Sequence, residues 1–460
     1  MSVVTTVVPR TRRGVELVLL VFAVGIVLLA YANVGLAIDG SLPPSLLSYG
    51  VGLIVLVGAV HLLLRWRAAY ADPVLLPIAT VLNGLGLVMI HRLDLAEQRT
   101  GGGMAAKQLL WMTVGVVLCL GVLWFVRDHR RLQRYTYTAL AAGIGLLLLP
   151  LLPVIGKNIN GSRIWIGVGP LSFQPGEIAK ICLALFFAGY LVQARDSLAL
   201  VGRRFIGISL PRGRDLGPIL VAWAFSLAVL VFERDLGSSL LFFGLFVAML
   251  YVATELKGWI AIGLAMFVAG SYVAYLLFGH VQRRVLLWLH PFSTKALEVS
   301  DQLVRGMFGM ADGGLLGTGL GRGRPDLTYY AESDFIVPSF AEEIGLVGLF
   351  ALLLLYLLFV ERGLRTAIGV RDGYGKLLAT GLAFTVALQC FVVVGGVTRL
   401  IPLTGLTMPF LSAGGSSLVA NWAILGLLLR ISDQARRPAP VVPADALTGD
   451  DAPTEVVKLR

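Results

Sequence analysis

Long apolar runs follow one another along most of this 460-residue chain, separated by short polar connectors. Runs of about 17 to 25 apolar residues cross a bilayer as α-helices, so the pattern predicts an all-α polytopic membrane protein with about twelve transmembrane helices. The run at 217–232 is at the short end of this range, and re-entrant segments are an alternative for two neighbouring spans there. The predicted spans are residues 15–38, 45–64, 73–91, 108–126, 135–153, 175–193, 217–232, 238–254, 258–278, 335–360, 377–398 and 406–429.

Composition supports the same class. Apolar residues make up 57% of the chain, charged residues only 14%, and the mean hydropathy is +0.83. A water-soluble protein of this length does not need such a mixture. The first run follows three arginines, so a signal peptide is one interpretation of it. However, the run is about twice as long as the apolar region of a typical signal peptide. An uncleaved first helix is therefore favoured.

Positive charge is distributed unevenly among the connectors. If the N-terminus is cytoplasmic, the connectors on that side hold most of the arginines, as the positive-inside rule requires, and twelve spans return the C-terminus to the cytoplasm. The net charge of +11 then reflects orientation and attraction to anionic lipid, and it gives no reason to invoke nucleic acid. The cations concerned are Arg65, Arg67, Arg127, Arg130, Arg131, Arg134, Arg195, Arg203, Arg204, Arg212, Arg214, Arg362, Arg365, Arg371, Lys376, Arg430, Arg436 and Arg437.

The chain divides into four parts. Residues 1–14 form a cytoplasmic N-terminus and residues 15–70 hold the first two helices. Residues 71–432 form the core, which includes a long extracytoplasmic loop at 279–334. Residues 433–460 are rich in Pro, Ala, Asp and Thr, which predicts a disordered cytoplasmic tail.

A charged connector separates the apolar runs that end at Phe232 and begin at Ser238. It contains Glu233, Arg234 and Asp235, and the topology places it on the outer side of the membrane. Charge at the edge of a hydrocarbon layer is costly, so this connector is a candidate functional site.

Two other spans carry charged or polar residues. Glu177 and Lys180 are three residues apart near the start of the sixth run, so they share a helical face. They form either a local ion pair that makes the helix tolerable in lipid or a pair that faces a cavity. Arg399, Ser412 and Ser416 lie near the outer ends of the last two runs, where a serine alone is more often a packing residue.

The outer loop is longer than ordinary connections, which indicates function or disorder. It contains an amphipathic stretch, Val285 to Leu289, next to Arg283 and Arg284, and this composition suits a membrane interface. Residues 317–324 then alternate glycine with two arginines. This segment is either a flexible glycine turn or a cradle of backbone and arginine groups for an anion such as a pyrophosphate.

Four blocks of residues, in this order, resemble the SEDS family of peptidoglycan polymerases. They are GSRIWIG (161–167) with FQPGEIAK (173–180), ERDLGSS (233–239), ESDFI (332–336) with AEEIGLVG (341–348), and IPLTGLTMPFLSAGGSS (401–417). The match covers about residues 73–430. It implies a ten-helix core preceded by two additional helices, and a peptidoglycan glycosyltransferase that polymerises lipid II on the outer face of the cytoplasmic membrane. The additional helices and the string GGVTRLIPLTGL (395–406) resemble the actinobacterial RodA branch, with a role in cell elongation and shape, more than the FtsW division branch.

The resemblance also assigns roles to residues. The family's essential aspartate falls on Asp235, the candidate general base for the attacking sugar hydroxyl. Two positions depart from the family pattern: Gly176 replaces a serine, and Ala413 replaces an aromatic residue. The expected substrate-binding residues are Arg163, Trp165, Glu177, Lys180, Arg234, Glu332, Asp334, Arg399, Ser412 and Ser416.

Cations that stabilise the pyrophosphate leaving group would make a general acid unnecessary. Lys180, Arg234, Arg399 and the loop arginines are candidates, and a divalent cation, Mg²⁺ or Mn²⁺, could share the role.

The expected partners are lipid II, the nascent glycan strand, the bilayer and a class B penicillin-binding protein that crosslinks new strands. A flippase or transporter of the lipid-linked precursor is an alternative, because twelve spans with charges in the membrane also describe carriers. A scaffold that only binds a partner enzyme is a third.

Overall fold

Helices form most of the backbone in the computed structural model, which describes residues 11–98, 103–153, 155–159, 162–168, 171–205 and 208–438. The helices are α1 (Arg13–Ile38), α2 (Leu46–Arg67), α3 (Leu75–Ala96), α4 (Met104–Phe125), α5 (Thr136–Leu148), α6 (Gly176–Leu198), α7 (Gly217–Phe232), α8 (Leu236–Thr254), α9 (Lys257–Leu277), α10 (Gly279–Leu289), α11 (Thr294–Val299), α12 (Gln302–Gly313), α13 (Ile336–Gly369), α14 (Gly373–Val397) and α15 (Gly415–Arg436). The predicted class, an all-α polytopic membrane protein, is confirmed.

Eleven helical segments of the described chain are long and apolar enough to cross a membrane. They are α1 to α6, α8, α9 and α13 to α15, with α5 extended by the 3₁₀ turns on both sides of it. The twelfth predicted run forms α7, which has only 16 residues and at 1.5 Å per residue is shorter than a typical hydrocarbon core. The count of twelve spans therefore stays a prediction.

Two short antiparallel sheets lie in connectors for which the sequence predicted no strands. The first contains β1 (Gly156–Ile159), β2 (Ser162–Val168) and β3 (Leu171–Phe173) in that order. The second pairs β4 (Val201–Phe205) with β5 (Ile208–Pro211). Each strand has at most seven residues, too few for alternating hydrophobicity to stand out from the long apolar runs beside it.

The last predicted span is misplaced. The apolar run at 406–429 is helical only from Gly415, and α15 continues to Arg436. Pro402 and Pro409 interrupt the preceding segment, and Gly405 and Phe410 have positive φ angles of 77° and 64°. Residues 401–414 are therefore an ordered non-helical segment, called the site loop below.

The predicted tail begins too early, because Asp433 lies on α15 and is fully buried. Its carboxylate accepts a hydrogen bond from the Tyr70 backbone (2.9 Å) and pairs with Arg437 (2.7 Å). Asp72, also fully buried, accepts from the Arg436 guanidinium, and its own N–H donates to Ser432. These bonds tie the end of α15 to the segment between α2 and α3. Residues 439–460 lie outside the described chain.

The two additional helices pack on the core. At Gly84 of α3, an added Cβ atom would lie 2.4 Å from the Val27 side chain of α1, so the two helices approach closely there. Glu16 of α1 is fully buried, where its carboxylate binds Arg13 at 2.5 Å and His61 of α2 at 2.7 Å. At its other end α1 contacts the outer part of the chain, since Ala37 lies 3.0 Å from a Cβ added at Gly321.

Candidate functional site

Asp235 caps the N-terminus of α8. Its Oδ1 accepts the backbone N–H groups of Gly237 (2.8 Å) and Ser238 (3.1 Å), and its Oδ2 accepts the Ser238 hydroxyl (2.6 Å). This is the arrangement of an N-cap, and it holds the buried carboxylate in one orientation. Oδ2 accepts only this one hydrogen bond from the residues described, so it keeps a lone pair for another donor.

The first sheet supports the connector before Asp235. The Arg163 N–H on β2 donates to the Glu233 carbonyl (3.2 Å), and the Ser162 hydroxyl donates to the Arg234 carbonyl (3.5 Å). Arg234 has a φ of 58°, and its side chain is exposed. The Arg163 side chain is exposed too, and Trp165, half-buried, sits opposite Lys157 on β1. The predicted pair Arg163 and Trp165 is thus next to the charged connector.

Glu233 is buried at the end of α7. Burial, reinforced by the negative charge of Asp235, raises the pKa of the Glu233 carboxyl to about 8. The two carboxyl groups of this connector therefore differ in environment, because Asp235 is held by three hydrogen-bond donors and Glu233 is desolvated.

Helix α10 carries His280, Arg283 and Arg284. Burial lowers the pKa of the Arg284 guanidinium, and the negative charges of Asp235 and Asp334 oppose that shift. Burial also lowers the pKa of His280, and the positive charges of Arg284, Arg234 and Arg283 lower it further. Amphipathic helix α10, which contains the stretch predicted from 285 to 289, thus supplies positive charge to the site.

Asp334 precedes α13 and faces the site loop. Its Oδ2 lies 3.6 Å from a Cβ built on Gly405, and its Oδ1 accepts the Ser333 hydroxyl (2.5 Å). Burial raises the pKa of Asp334, Glu332 raises it further, and Ser333 and Arg284 oppose the rise. Glu332 is buried, and its carbonyl accepts the Ala413 N–H (2.7 Å).

The site loop connects these elements. Arg284 donates to the Leu403 carbonyl (2.8 Å), and an added Cβ at Gly237 would lie 2.5 Å from Leu406, so α10 and α8 both contact the loop. Ser412 is buried; its hydroxyl accepts the Met408 N–H (2.8 Å) and donates to the Ser333 carbonyl (2.6 Å). Ser412 therefore fixes the loop to the segment that carries Asp334.

Glu177 and Lys180 lie on α6, away from Asp235, and are buried. The Lys180 ammonium donates to Glu177 (2.5 Å) and to the side chain of Gln389 on α14 (2.9 Å). Gln389 donates in turn to the Thr407 carbonyl of the site loop (2.8 Å). The ion pair thus reaches the site through Gln389 and the loop. Ser416 is buried at the start of α15, and its hydroxyl has no hydrogen-bond partner among the described residues.

Arg399 binds protein backbone. Its guanidinium donates to the carbonyls of Trp288 (3.1 Å) and Leu289 (3.4 Å), and its own carbonyl accepts the Trp288 indole N–H (2.9 Å). Arg399 therefore holds the C-terminal end of α10 against the segment after α14. The guanidinium on which the charge of Asp235 acts is that of Arg284 on α10 instead.

The glycine and arginine segment at 317–324 encloses carboxylates of the protein itself. The Gly321 N–H donates to the Glu343 carboxylate (2.9 Å) and the Arg324 N–H to that of Glu342, while the Arg92 guanidinium binds Glu343 at 2.5 Å. These backbone donors are occupied, so the interpretation as a pyrophosphate cradle is wrong. Gly317 has a φ of 83° and packs on the kink of α13 at Gly345, which favours an ordered support over a flexible turn.

An apolar cavity of about 380 Å³ opens beside Arg284. Helices α7 to α10 and the start of the site loop enclose it, and Arg284 is the one charged residue among those described in its lining. The lining includes Trp223, Leu240, Phe243, Phe267 and Trp288. A site of this kind suits a ligand with a long apolar part and an anionic group at its end.

No group of three or more His, Cys, Asp or Glu side chains within the described residues is arranged to hold a metal ion. The charges of Asp235 and Asp334 both act on the Arg284 guanidinium. Arg284 provides the positive charge at this position.

Sequence reasoning included Arg284 only as one of the loop arginines that could stabilise the leaving group, and it missed Gln389 as a site residue. The sequence could not single out Arg284, because the contact of α10 with the site loop joins residues more than a hundred positions apart. Gln389 lies in a long apolar run, where a single polar residue was the only available signal.

The chain is similar to known proteins over most of its length. A family profile described as cell cycle protein, for FtsW, RodA and SpoVE, matches residues 73–437. The peptidoglycan glycosyltransferase RodA of Mycobacterium tuberculosis H37Rv is 48% identical over 452 residues, which are 97% of this chain and 96% of the relative. The protein of the same name from Mycobacterium leprae is 47% identical over 99% of this chain and 98% of its own length. Stage V sporulation protein E of Bacillus subtilis is 31% identical, with 79% and 98% coverage.

Solved structures share the fold. A chain from a peptidoglycan synthase complex that coordinates polymerization and crosslinking has a TM-score of 0.62 and 28% identity, covering 79% of this chain and 98% of its own. The Thermus thermophilus rod shape determining protein RodA has a TM-score of 0.55 and 26% identity, with 80% and 98% coverage.

Proposed function

The chain belongs to the FtsW, RodA and SpoVE family and is a peptidoglycan glycosyltransferase, and from this premise we propose that Asp235 is the general base of its reaction. The observation that carries the proposal is the position of this oriented carboxylate. Asp235 immediately precedes Leu236, which lines the apolar cavity together with Arg284, and its charge acts on the Arg284 guanidinium. The full-length similarity to mycobacterial RodA, confirmed at 47% to 48% identity, supports a role in cell elongation and shape over an FtsW-like role in division.

The substrate is proposed to be lipid II, added to a growing glycan strand. Asp235 Oδ2 takes the proton of the acceptor sugar hydroxyl while that oxygen bonds to the anomeric carbon of the donor. The bond from that carbon to the pyrophosphate oxygen breaks, and the pyrophosphate leaves on its lipid. Because the leaving group is already a stable anion, it needs positive charge more than it needs a proton.

Arg284 is placed to supply that charge. It lines the cavity and lies near Asp235, so a pyrophosphate beside it would leave the lipid chain among the apolar side chains of α7 to α9. Arg234 and Arg283 are close enough to lower the pKa of His280 and add to the positive field. Lys180 acts on the site indirectly, because its ammonium binds the side chains of Glu177 and Gln389.

The proposed location is the outer face of the cytoplasmic membrane, with both termini cytoplasmic. The connectors on the side of the membrane opposite Asp235 hold most of the arginines, which supports this orientation. Within it, residues 15–70 are two additional helices, and the catalytic core begins at residue 71 and includes α15 to Arg436. The proposed partner is a class B penicillin-binding protein, because a structural neighbour belongs to a complex that coordinates polymerization with crosslinking.

Purified protein in detergent, supplied with lipid II as the only substrate, tests the proposal. We expect glycan polymer on gels. We also expect an undetectable or at least about 10²-fold slower rate for Asp235→Asn, within the usual contribution of a general base. Detergent micelles do not separate two compartments, so the activity of a flippase could not account for polymer formation. Absence of polymer from folded wild-type protein would overturn the substrate assignment, and full activity of Asp235→Asn would overturn the role of Asp235.

A further inference from the structure

Gln389 is the only described side chain that joins the Glu177 and Lys180 pair to the site loop. It lies on α14 and is 0% exposed. Its Oε1 accepts the Lys180 ammonium (2.9 Å) and its Nε2 donates to the Thr407 carbonyl (2.8 Å). Both ends of the amide are therefore occupied, and its orientation is fixed because only the oxygen can accept from an ammonium.

The connection continues through a single peptide group. The Thr407 carbonyl accepts from Gln389, and the N–H of the same peptide, that of Met408, donates to the Ser412 hydroxyl (2.8 Å). Ser412 donates to the Ser333 carbonyl (2.6 Å), one residue before Asp334. A chain of buried and partly buried hydrogen bonds thus runs from α6 through α14 and the site loop to the acidic segment at the site.

We propose that Gln389 is a positioning residue for glycosyl transfer, which sets the site loop and the Lys180 ammonium relative to each other. The inference rests on the proposed function, because the loop contacts Arg284 at Leu403 and α8 at Leu406. Small displacements of groups at a reacting centre lower rates strongly even when binding survives. Gln389 touches none of the proposed reacting groups, so its effect passes through Lys180 and the loop.

Gln108 provides a matched control. This glutamine of α4 is also buried and also holds the site loop with both ends of its amide, donating to the Ser412 carbonyl (3.0 Å) and accepting the Gly414 N–H (3.2 Å). It makes no hydrogen bond to Lys180. Removal of either amide leaves a backbone carbonyl of the loop without its donor, so the general structural damage is comparable.

The experiment compares Gln389→Met, Gln389→Glu and Gln108→Met in lipid II polymerisation, with kcat, KM and Tm measured for each purified protein. We expect the kcat of Gln389→Met to be about tenfold or more below that of Gln108→Met, while the two variants lose a similar amount of Tm. The KM of Gln389→Met should stay within about threefold of wild type, because lost orientation acts on the chemical step. Gln389→Glu keeps an acceptor for Lys180 but has no donor for Thr407. We therefore expect it to recover kcat at least about threefold over Gln389→Met without recovering Tm.

Equal kcat for Gln389→Met and Gln108→Met, or no recovery by Gln389→Glu, would show a merely structural role and overturn the proposal. If Gln389→Met does not fold, Gln389→Asn replaces it, because it keeps the amide but shortens its reach by one methylene. Asp235→Asn in the same assay separates the two hypotheses. Loss of activity in Asp235→Asn with wild-type kcat in Gln389→Met leaves the proposed function intact and removes only the role of Gln389.

Discussion

At the scale of single residues, the charged connector places two carboxyl groups two positions apart in different environments. Asp235 receives three hydrogen bonds at the N-terminus of α8, whereas Glu233 is desolvated and has a pKa of about 8. The donors around Asp235 orient its carboxylate and leave Oδ2 a lone pair for another donor, which supports Asp235 as the base.

The raised pKa of Glu233 makes a prediction about stability. Between the ordinary value of 4.5 and about 8, the unfolded chain has lost the Glu233 proton and the folded protein retains it, so stability falls as the pH rises through this window. Glu233→Gln removes the titration. We expect the Tm of this variant relative to wild type to rise progressively from pH 5 to pH 8. A Tm difference that is the same at both pH values would contradict the proposed environment of Glu233.

A second prediction concerns Arg284, which is the one charged residue among the described residues that line the cavity. If it stabilises the pyrophosphate, Arg284→Gln should lower kcat/KM about 10²- to 10³-fold, as the loss of one charge-stabilising donor does in other enzymes. Arg324→Gln is the matched control, because its guanidinium is 70% exposed on the glycine segment. We expect the control to stay within about twofold of wild type in polymerisation assays. Equal losses for the two variants would contradict the role of Arg284.

The candidate site was predictable from sequence only in part. The charges of Asp235 and Asp334, both predicted as site residues, act on the same guanidinium, that of Arg284. Arg399 was predicted on its charge, yet its guanidinium binds backbone carbonyls of α10. Charge and position in the sequence identify which residues are costly to place in a membrane, but they do not show which buried groups each one contacts.

At the scale of elements, the glycine segment at 317–324 is a structural support for α13. Its N–H groups bind Glu342 and Glu343, and Gly317 and Gly345 pack against each other with positive φ angles of 83° and 68°. Concave arrangements of backbone N–H groups bind anions, and here the anions are side chains of the protein. The sequence showed the glycines but gave no signal that carboxylates of α13, about twenty residues away, would fill the concavity.

Gly317→Ala tests this interpretation. The new Cβ would lie 2.3 Å from the Glu343 carbonyl oxygen, and the left-handed backbone would add about 1–3 kcal/mol of strain. We expect Tm to fall by several degrees. Gly213→Ala is the control, since its added Cβ would meet no atom within 4 Å. An unchanged Tm in Gly317→Ala would indicate that the segment is flexible.

The site loop shows why the last span was misplaced. Residues 406–411 are mostly apolar, and hydropathy alone extends the predicted helix over them. Pro409 and the positive φ of Phe410 stop the helix, and α15 begins only at Gly415. A non-helical backbone at this depth is tolerated because Gln108, Gln389 and Ser412 satisfy its polar groups.

At the scale of the whole molecule, the class was readable from the sequence because spanning helices produce a strong periodic signal of apolar runs. The short strands and the packing of α1 against α3 could not be read from the sequence, because they depend on contacts between distant segments. The predicted orientation, with the charged connector outside, follows from arginine placement alone.

Cysteine labelling tests the orientation. Arg322 lies in the long loop before α13 and Arg371 in the connector after it, and both are exposed. With a membrane-impermeant maleimide, we expect Arg322→Cys to react in intact cells freed of their wall. Arg371→Cys should react only after lysis. The unmodified protein is the control, because Cys119 and Cys390 are buried and Cys182 is half-buried. The reverse pattern would contradict the proposed topology and place Asp235 on the cytoplasmic side.

The most direct test of the central claim measures binding and chemistry separately in Asp235→Asn. Asparagine keeps the size of the side chain and can still accept the N–H groups at the start of α8, but it is not a base. The decisive measurement is the initial rate of polymer formation at saturating lipid II, together with the lipid II dissociation constant and the Tm of the same preparation. We expect a rate at least about 10²-fold below wild type with binding and Tm nearly unchanged. A wild-type rate would contradict Asp235 as the base.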